Sequence, residues 1–164
     1  MTIISGNART VRHRLTTLAV IAGTMAVLST AAMAGECPAG KMGVDVTKPG
    51  ATANKEATDK VLATIDLSKE KVALADHQFR IRRLEIMPGG EIAWHSHADR
   101  PALIYIISGE MTEYASNCAV PIVHKAGEVA KETSQISHWW KNTGKENAVL
   151  LSADILHDQA DPNM

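Results

Sequence analysis

From residue 71 onward, short apolar runs alternate with turn residues. The clearest run, 102–107 (ALIYII), is too short for a helix and predicts a buried strand. Turn residues such as Pro88-Gly89-Gly90 recur at intervals of roughly 8–12 residues, which is typical of an all-β sandwich or barrel. Strands are predicted over 71–87, 91–97, 102–107, 111–116, 120–125 and 149–156.

The first 34 residues have a different pattern. Three arginines and no acidic residue precede an uncharged apolar stretch, 18–34, which ends in the small-x-small sequence Ala32-Met33-Ala34. These features predict a secretory signal peptide that is cleaved after Ala34, and hence a periplasmic or secreted protein. The alternative is an uncleaved anchor helix, although the stretch is short for a span of roughly 20 residues.

The predicted mature chain, 35–164, is long enough for one domain. We expect an extended N-terminal arm over 35–70, a barrel over 71–157 and a polar tail over 158–164. The whole chain has 17 basic and 18 acidic residues, and removal of the three signal-peptide arginines leaves 14 against 18. No basic patch indicates nucleic-acid binding, and no second apolar run is long enough to cross a membrane.

The two cysteines, Cys37 and Cys118, form an even pair in a chain predicted to be exported. An oxidising compartment favours a disulfide between them, which would tie the N-terminal arm to the domain. Two unpaired thiols, or a reactive Cys118 near a metal, are the alternatives.

A pair of histidines indicates candidate chemistry. His95 and His97 are two residues apart, so on a strand both side chains point to the same face and could chelate one metal ion. The alternative is two solvated histidines beside a turn.

The residues around this pair resemble the first motif of the cupin superfamily, which is Gly, five residues, His-x-His, three or four residues, Glu, six residues and Gly. The chain has Gly89, His95, His97 and Gly109 at these spacings. Ala102 stands where the family has its Glu.

A second stretch resembles the second cupin motif, which is Gly, five residues, Pro-x-Gly, two residues, His, three residues and Asn. Gly127, His138 and Asn142 match in register, whereas Thr133 and Gln135 replace the Pro and the second Gly. The two motifs in order favour a cupin, although this fold hosts many functions.

The resemblance implies an all-β fold, a single cupin-type β-barrel of the jelly-roll-like double-sheet kind. It implies metal ligands at His95, His97 and His138. Without the Glu, the predicted site has three histidines and open positions for water or substrate. One divalent transition metal ion is expected, Zn, Fe or Cu, because imidazole suits these metals. The alternative is a vacant site. The resemblance also makes a homodimer plausible.

Strand alternation predicts the walls of a ligand pocket. Ala102, Ile104, Trp140 and Asn142 fall on the faces that carry the predicted ligands, which suggests a small, partly apolar small-molecule ligand. For Trp140, ordinary core packing is an equal alternative.

Other polar residues carry weaker signals. Glu91 falls on the face of the histidines by alternation and is a weak candidate for a general base. At least one of Arg80, Arg82 and Arg83 could point inward and bind a carboxylate, although exposure or pairing with Glu85 is the commoner outcome. His77, His124 and His157 are expected at the surface.

The sequence therefore favours an exported metal-binding cupin of unassigned activity. A metal-dependent dioxygenase or oxidoreductase is the first alternative. A non-catalytic domain with a vacant metal site is the second.

Overall fold

The computed structural model describes residues 36–157. The predicted signal peptide, 1–34, and the predicted polar tail, 158–164, lie outside these residues. Within them, no helix is long and apolar enough to cross a membrane.

The described residues form eight strands, all paired antiparallel, in a nearly closed barrel. The order of hydrogen-bonded neighbours is β5-β4-β7-β2-β8-β3-β6, and β1 pairs with β2 outside this path. The strands are β1 (Lys55–Asp66), β2 (His77–Ser96), β3 (Ala102–Ser108), β4 (Glu110–Ala115), β5 (Ile122–Lys125), β6 (Val129–Glu132), β7 (Ser137–Lys141) and β8 (Ala148–His157). A single 3-10 turn, Leu67–Lys69, follows β1.

Alternation of side chains across each strand builds the core. On β3, Ala102, Ile104 and Ile106 are buried while Leu103 and Tyr105 are exposed, as the period of two predicts. Inward side chains of the other strands meet them in one cluster, which contains Leu84, Ile86, Ile92, Met111, Trp140 and Leu150. The all-β barrel expected from the sequence is therefore confirmed.

The strand boundaries differ from the predicted ones at several places. Residues 71–76 form turns, and β1 lies within the region predicted as an extended arm. Strand β6 was not predicted, and β7 was assumed only through the alternation of His138, Trp140 and Asn142, because charged and polar residues interrupt the apolar positions of both strands.

The predicted turn at 88–90 is a bend inside the continuous strand β2. Gly89 has φ +78°, a conformation that favours glycine. A Cβ on Gly90 would lie 2.7 Å from the main-chain oxygen of Glu56, so a side chain has no room there. Within the bend, the Gly89 N–H donates to the Asn142 oxygen and the Asn142 N–H donates to the Gly90 oxygen, each at 2.9 Å, so the strand stays paired there.

A β-bulge in β2 changes which side chains face inward. Ile92 lies opposite Trp140 and His95 lies opposite His138, so three steps on β2 match two on β7. The Ala93 N–H, inside the bulge, donates to Asn54 Oδ1 at 2.7 Å. The next amide, of Trp94, donates to the main-chain oxygen of Ala51 at 2.9 Å. The arm thus satisfies the backbone groups that the bulge removes from the ladder.

A disulfide joins Cys37 to Cys118, with their Cα atoms 5.6 Å apart. Beside it, the Gly43 N–H donates to the Asn117 oxygen at 3.0 Å and the Val46 N–H donates to the Ser116 oxygen at 2.9 Å. The disulfide therefore fastens the arm to the loop after β4.

We expect the double variant Cys37→Ser/Cys118→Ser to be less stable than the wild type by about 2–5 kcal/mol, because the bond closes a long loop in the unfolded chain. The sequence separation is 81 residues. Urea unfolding of both proteins in chelator, so that bound metal does not contribute, measures the difference. An unchanged unfolding midpoint would contradict this expectation.

Candidate metal centre

Four buried side chains from three strands converge inside the barrel. His95 comes from β2, His97 lies directly after the end of that strand, His138 comes from β7 and Glu132 from β6. One ligand atom from each lies within 4.8 Å of all the others. This is the spacing of a group that could bind one metal ion.

The imidazole Nε2 atoms form a nearly regular triangle. The distances are 2.9 Å between His95 and His97, 3.0 Å between His97 and His138, and 3.1 Å between His138 and His95. Three nitrogens about 2.1 Å from one ion at right angles would lie about 3.0 Å apart, whereas tetrahedral angles would place them about 3.4 Å apart. The triangle thus matches one face of an octahedral centre.

The other ring nitrogen of each histidine, Nδ1, faces an oxygen. The partners are the main-chain oxygen of Ala93 for His95 (2.8 Å), the main-chain oxygen of Arg100 for His97 (2.7 Å) and Glu113 Oε1 for His138 (2.6 Å). Carbonyl and carboxylate oxygens accept hydrogen bonds, so the ring proton of each neutral imidazole lies on Nδ1. Three bare Nε2 lone pairs then face one another, an arrangement that a cation between them stabilises. The donor set therefore fits a metal ion.

Glu132 completes the cluster. Its Oε2 lies 2.9 Å from His97 Nε2 and its Oε1 lies 3.4 Å from His138 Nε2. Ala102 is its direct partner across the β3–β6 ladder. The carboxylate that the first cupin motif places on β3 is thus provided here by the neighbouring strand.

Sequence reasoning missed Glu132, and the expectation of a site without a carboxylate does not describe this cluster. The expected metals Zn, Fe and Cu were chosen for imidazole ligands alone, whereas a carboxylate ligand also suits manganese. An available signal was the carboxyl side chain just before the second-motif position Thr133. Its pairing with Ala102 becomes visible only with the strand register.

The pKa values of the histidines reflect their surroundings. Burial, and then the charge of His138, lowers the pKa of His95 to about 2, which keeps its ring neutral. Burial also lowers the pKa of His138, but the charge of Glu132 and the hydrogen bond to Glu113 outweigh it, so its pKa is raised.

A small cavity of about 30 Å³ lies beside His95 and Glu132. Since one water needs about 10–15 Å³ measured in this way, the cavity has room for one or two waters or a comparably small group. Most of its wall is apolar, with Arg82 and Ser152 as polar members. The apolar lining is Leu84, Ile92, Ile104, Trp140 and Leu150.

Two of the four predicted pocket residues, Ile104 and Trp140, line this cavity. Ala102 is buried, with Glu132 as its cross-strand partner, and lies outside the lining. The Asn142 side chain instead donates to the main-chain oxygens of Ile86 and Glu146, both at 2.8 Å. Its position is explained by the support it gives to the bend in β2.

Two of the three arginines before the first motif point inward and are paired. Arg80 donates to both oxygens of Asp154, at 3.0 and 2.7 Å, and Arg82 donates to Asp154 and to Ser152. Arg83 faces outward and forms an ion pair with Glu85. Arg82 is thus the arginine that combines an ion pair with a place in the cavity wall.

The remaining polar predictions have different outcomes. Glu91 points away from the histidines, because the bulge shifts the alternation, and binds Lys141 Nζ at 2.8 Å. The expectation that Glu91 shares the histidines' face is therefore wrong. His124 is fully buried rather than exposed. His157 is exposed and stacks on the half-buried His77, with ring centroids 4.4 Å apart.

Comparison with known proteins agrees with this geometry. The model of the family "Cupin domain" matches residues 82–154. The chain contains a domain of the cupin superfamily. The chain is 30% identical over 115 residues to Nectarin-1 of Nicotiana plumbaginifolia, and this similarity covers 66% of the chain and 47% of Nectarin-1. The chain thus spans about half the length of that relative.

Solved structures show the same fold. A predicted oxalate decarboxylase from Thermotoga maritima has a TM-score of 0.50 at 21% identity, over 70% of this chain and 97% of the other. An uncharacterised conserved protein from Klebsiella pneumoniae with a double-stranded β-helix domain has a TM-score of 0.50 at 22% identity, over 71% and 87%. At these identities, the similarity concerns the fold alone.

We expect Glu132→Gln to weaken divalent metal binding by about 10-fold or more, because an amide replaces the only carboxylate of the cluster. Competition with a chelator measures the dissociation constant. Glu146→Gln, at an exposed position, is the matched control and should bind like the wild type. Equal affinities of the two variants would exclude Glu132 as a ligand.

The cross-strand pairing of Ala102 and Glu132 allows a sharper test. We expect the exchange variant Ala102→Glu/Glu132→Ala to bind metal better than Glu132→Ala alone, because the carboxylate returns from the adjacent strand. The same chelator competition compares the two. An exchange variant that is no better than the single variant would show that position 102 cannot reach the centre.

Proposed function

We propose that this protein is an exported metal-binding cupin that binds a small, partly apolar ligand beside the metal. The observation that carries the proposal is the convergence of three Nε2 lone pairs and one carboxylate within the barrel. We propose His95, His97, His138 and Glu132 as ligands to one divalent transition metal ion. The spacing of the three Nε2 atoms and the presence of a carboxylate add Mn to the candidate metals Fe, Zn and Cu.

The ligand class follows from the cavity next to the cluster. Four protein ligands would hold the ion and would leave room in its coordination shell for the ligand or for water. Leu84, Ile104 and Leu150 provide an apolar surface, while Arg82 and Ser152 offer hydrogen-bond donors at one side. Because this cavity has room for only one or two waters, the ligand must be very small, and a group with one polar end and one apolar side suits such a wall.

The second candidate function is a metal-dependent dioxygenase or oxidoreductase. A bound ion would supply Lewis-acid or redox chemistry at its open positions. The chain itself would hold the ion, exclude bulk water with the apolar wall and orient the ligand with Arg82. The buried cluster beside an apolar cavity favours this candidate over a structural domain with a vacant site.

For the cellular location, we propose the periplasm or the extracellular space, with cleavage after Ala34. The disulfide supports this, because such bonds persist in oxidising compartments.

Metal analysis of the natively exported, untagged protein tests the main proposal. We expect about one divalent ion per chain in the wild type and in the control His157→Ala. The ion should be lost in His97→Ala, because His97 Nε2 lies close to the ligand atoms of His95, His138 and Glu132. Chelator should also lower the melting temperature of the wild type, because a bound ion stabilises the folded state. A wild-type protein without metal, even after reconstitution, would establish the vacant-site alternative. Oxygen consumption by the metal-loaded protein would favour the enzyme.

We also propose that the protein forms a homodimer through the outer face of β1, β2, β8, β3 and β6. The strand register places apolar outward residues side by side across these strands: Ile65 beside Phe79, Phe79 beside Ile155, Ile81 beside Ala153, Ala153 beside Leu103, Leu151 beside Tyr105 and Tyr105 beside Val129.

The size of this face supports a second copy as its partner. Five strands about 4.8 Å apart and about six residues long cover on the order of 500 Å². Leu103 is 54% exposed and Tyr105 is 44% exposed. A monomer seldom exposes a larger apolar patch, and with rim side chains the area approaches the roughly 800 Å² that each partner contributes to a stable interface.

We expect light scattering to give a dimer for the wild type and a monomer for Leu103→Glu, because a charge would then be buried in the interface. Val123→Glu, at an exposed apolar position on β5, is the control and should remain dimeric. A monomeric wild type would refute the interface.

A further inference from the structure

A buried carboxylate and a buried histidine lie on the Nδ1 side of His138. Glu113 Oε1 accepts from His138 Nδ1 at 2.6 Å, and Glu113 Oε2 accepts from His124 Nε2 at 2.8 Å. Glu113 is 5% exposed and His124 is fully buried. Glu113 lies on β4 and His124 on β5, so the two residues connect the edge of the sheet to a predicted metal ligand.

Burial of this pair needs an explanation. A carboxylate and an imidazole lose hydration inside the barrel, and apolar residues of similar size would fill the space at lower cost. Among the described residues, His124 Nδ1 has no hydrogen-bond partner, which adds to the cost. His124 is also not a member of the metal cluster. A role outside ordinary packing is therefore indicated.

His138 differs from the other two histidines in how its Nδ1 is held. His95 and His97 donate to main-chain oxygens, whose positions the strand and the following loop determine. His138 depends on a side chain, and a Glu side chain has several rotatable bonds. The second hydrogen bond, from His124, anchors the other oxygen of Glu113 and prevents rotation of the carboxylate.

His124 is fixed in turn by Trp140. Their ring centroids lie 4.6 Å apart with planes inclined by 31°. Glu113 is the direct cross-strand partner of Trp140, which lines the cavity. Glu113 and His124 therefore connect the orientation of the His138 ring to the position of Trp140 in the cavity wall.

We propose that Glu113 and His124 are positioning residues of the metal centre. His124 holds Glu113, and Glu113 keeps the proton of His138 on Nδ1 and its Nε2 lone pair directed into the cluster. The inference rests on the proposed metal role of His138. Removal of either residue should release the ring of His138 and weaken metal binding, although neither residue touches the ion.

Metal titration of three variants tests this role. We expect Glu113→Ala to weaken Zn²⁺ or Mn²⁺ binding by about 10- to 100-fold, and His124→Phe, which keeps a ring against Trp140, by about 10-fold. His124→Gln, whose amide can donate to Glu113 Oε2, should recover most of the affinity. Wild-type affinity in Glu113→Ala and His124→Phe would overturn the proposal.

A spectroscopic measurement separates positioning from simple structural support. In ¹H–¹⁵N spectra of the imidazoles, we expect wild-type His138 to carry a slowly exchanging Nδ1 proton with and without Zn²⁺, and this signal should be lost in His124→Phe and restored in His124→Gln. A general loss of stability would lower the unfolding midpoint without moving the proton.

A wild-type His138 with its proton on Nε2 would overturn the proposal even if the variants do not fold. A wild type that binds no metal but keeps the Nδ1 proton would refute the proposed metal function, and would leave Glu113 and His124 as residues that orient a ring with no ion to bind.

Discussion

One additional residue in β2, between Ile92 and His95, turns both histidines of the first motif into the barrel. Before the bulge, the inward positions are Leu84, Ile86 and Ile92, all even-numbered, and after it they are His95 and His97. Regular alternation from Ile92 would place His95 on the outer face with Glu91. The amides of the bulge donate to Asn54 and Ala51, so residues outside the matched cupin region, 82–154, support the geometry of the centre.

The position of the carboxylate shows that a metal centre depends on which residues are close in the fold, and not on their positions in the sequence. Ala102 and Glu132 are far apart in sequence but directly paired across two strands, so a side chain on either strand can approach the same point. A carboxylate from β6 restores the charge that the alanine removes. The donor set is thereby three imidazoles and one carboxylate, and it presents one anionic ligand to a divalent cation.

Charges inside the barrel are arranged in two groups. On the metal side, Glu132 and Glu113 surround His138 and raise its pKa against the effect of burial. In the second group, Asp154 is paired with Arg80 and with Arg82, and Arg82 also lines the small cavity. Both groups are paired, as buried charges must be to offset their loss of hydration. The cavity beside Glu132 and Arg82 is mainly apolar, so little water would screen their charges from a ligand bound there.

The amino-acid sequence by itself determined the class of fold and most of the donor atoms. Short apolar runs separated by turn residues predicted an all-β sandwich or barrel, and the resemblance of two motifs to those of the cupin family implied His95, His97 and His138 as ligands, because both features depend on neighbours along the chain. The expected export to an oxidising compartment favoured the pairing of Cys37 with Cys118, but only the structure shows the two residues close enough for the bond. The bulge, the strand β1 and the roles of Glu132, Glu113 and His124 were decided by tertiary structure. Each depends on which residues face one another across neighbouring strands, and that register arises from contacts between residues far apart in sequence.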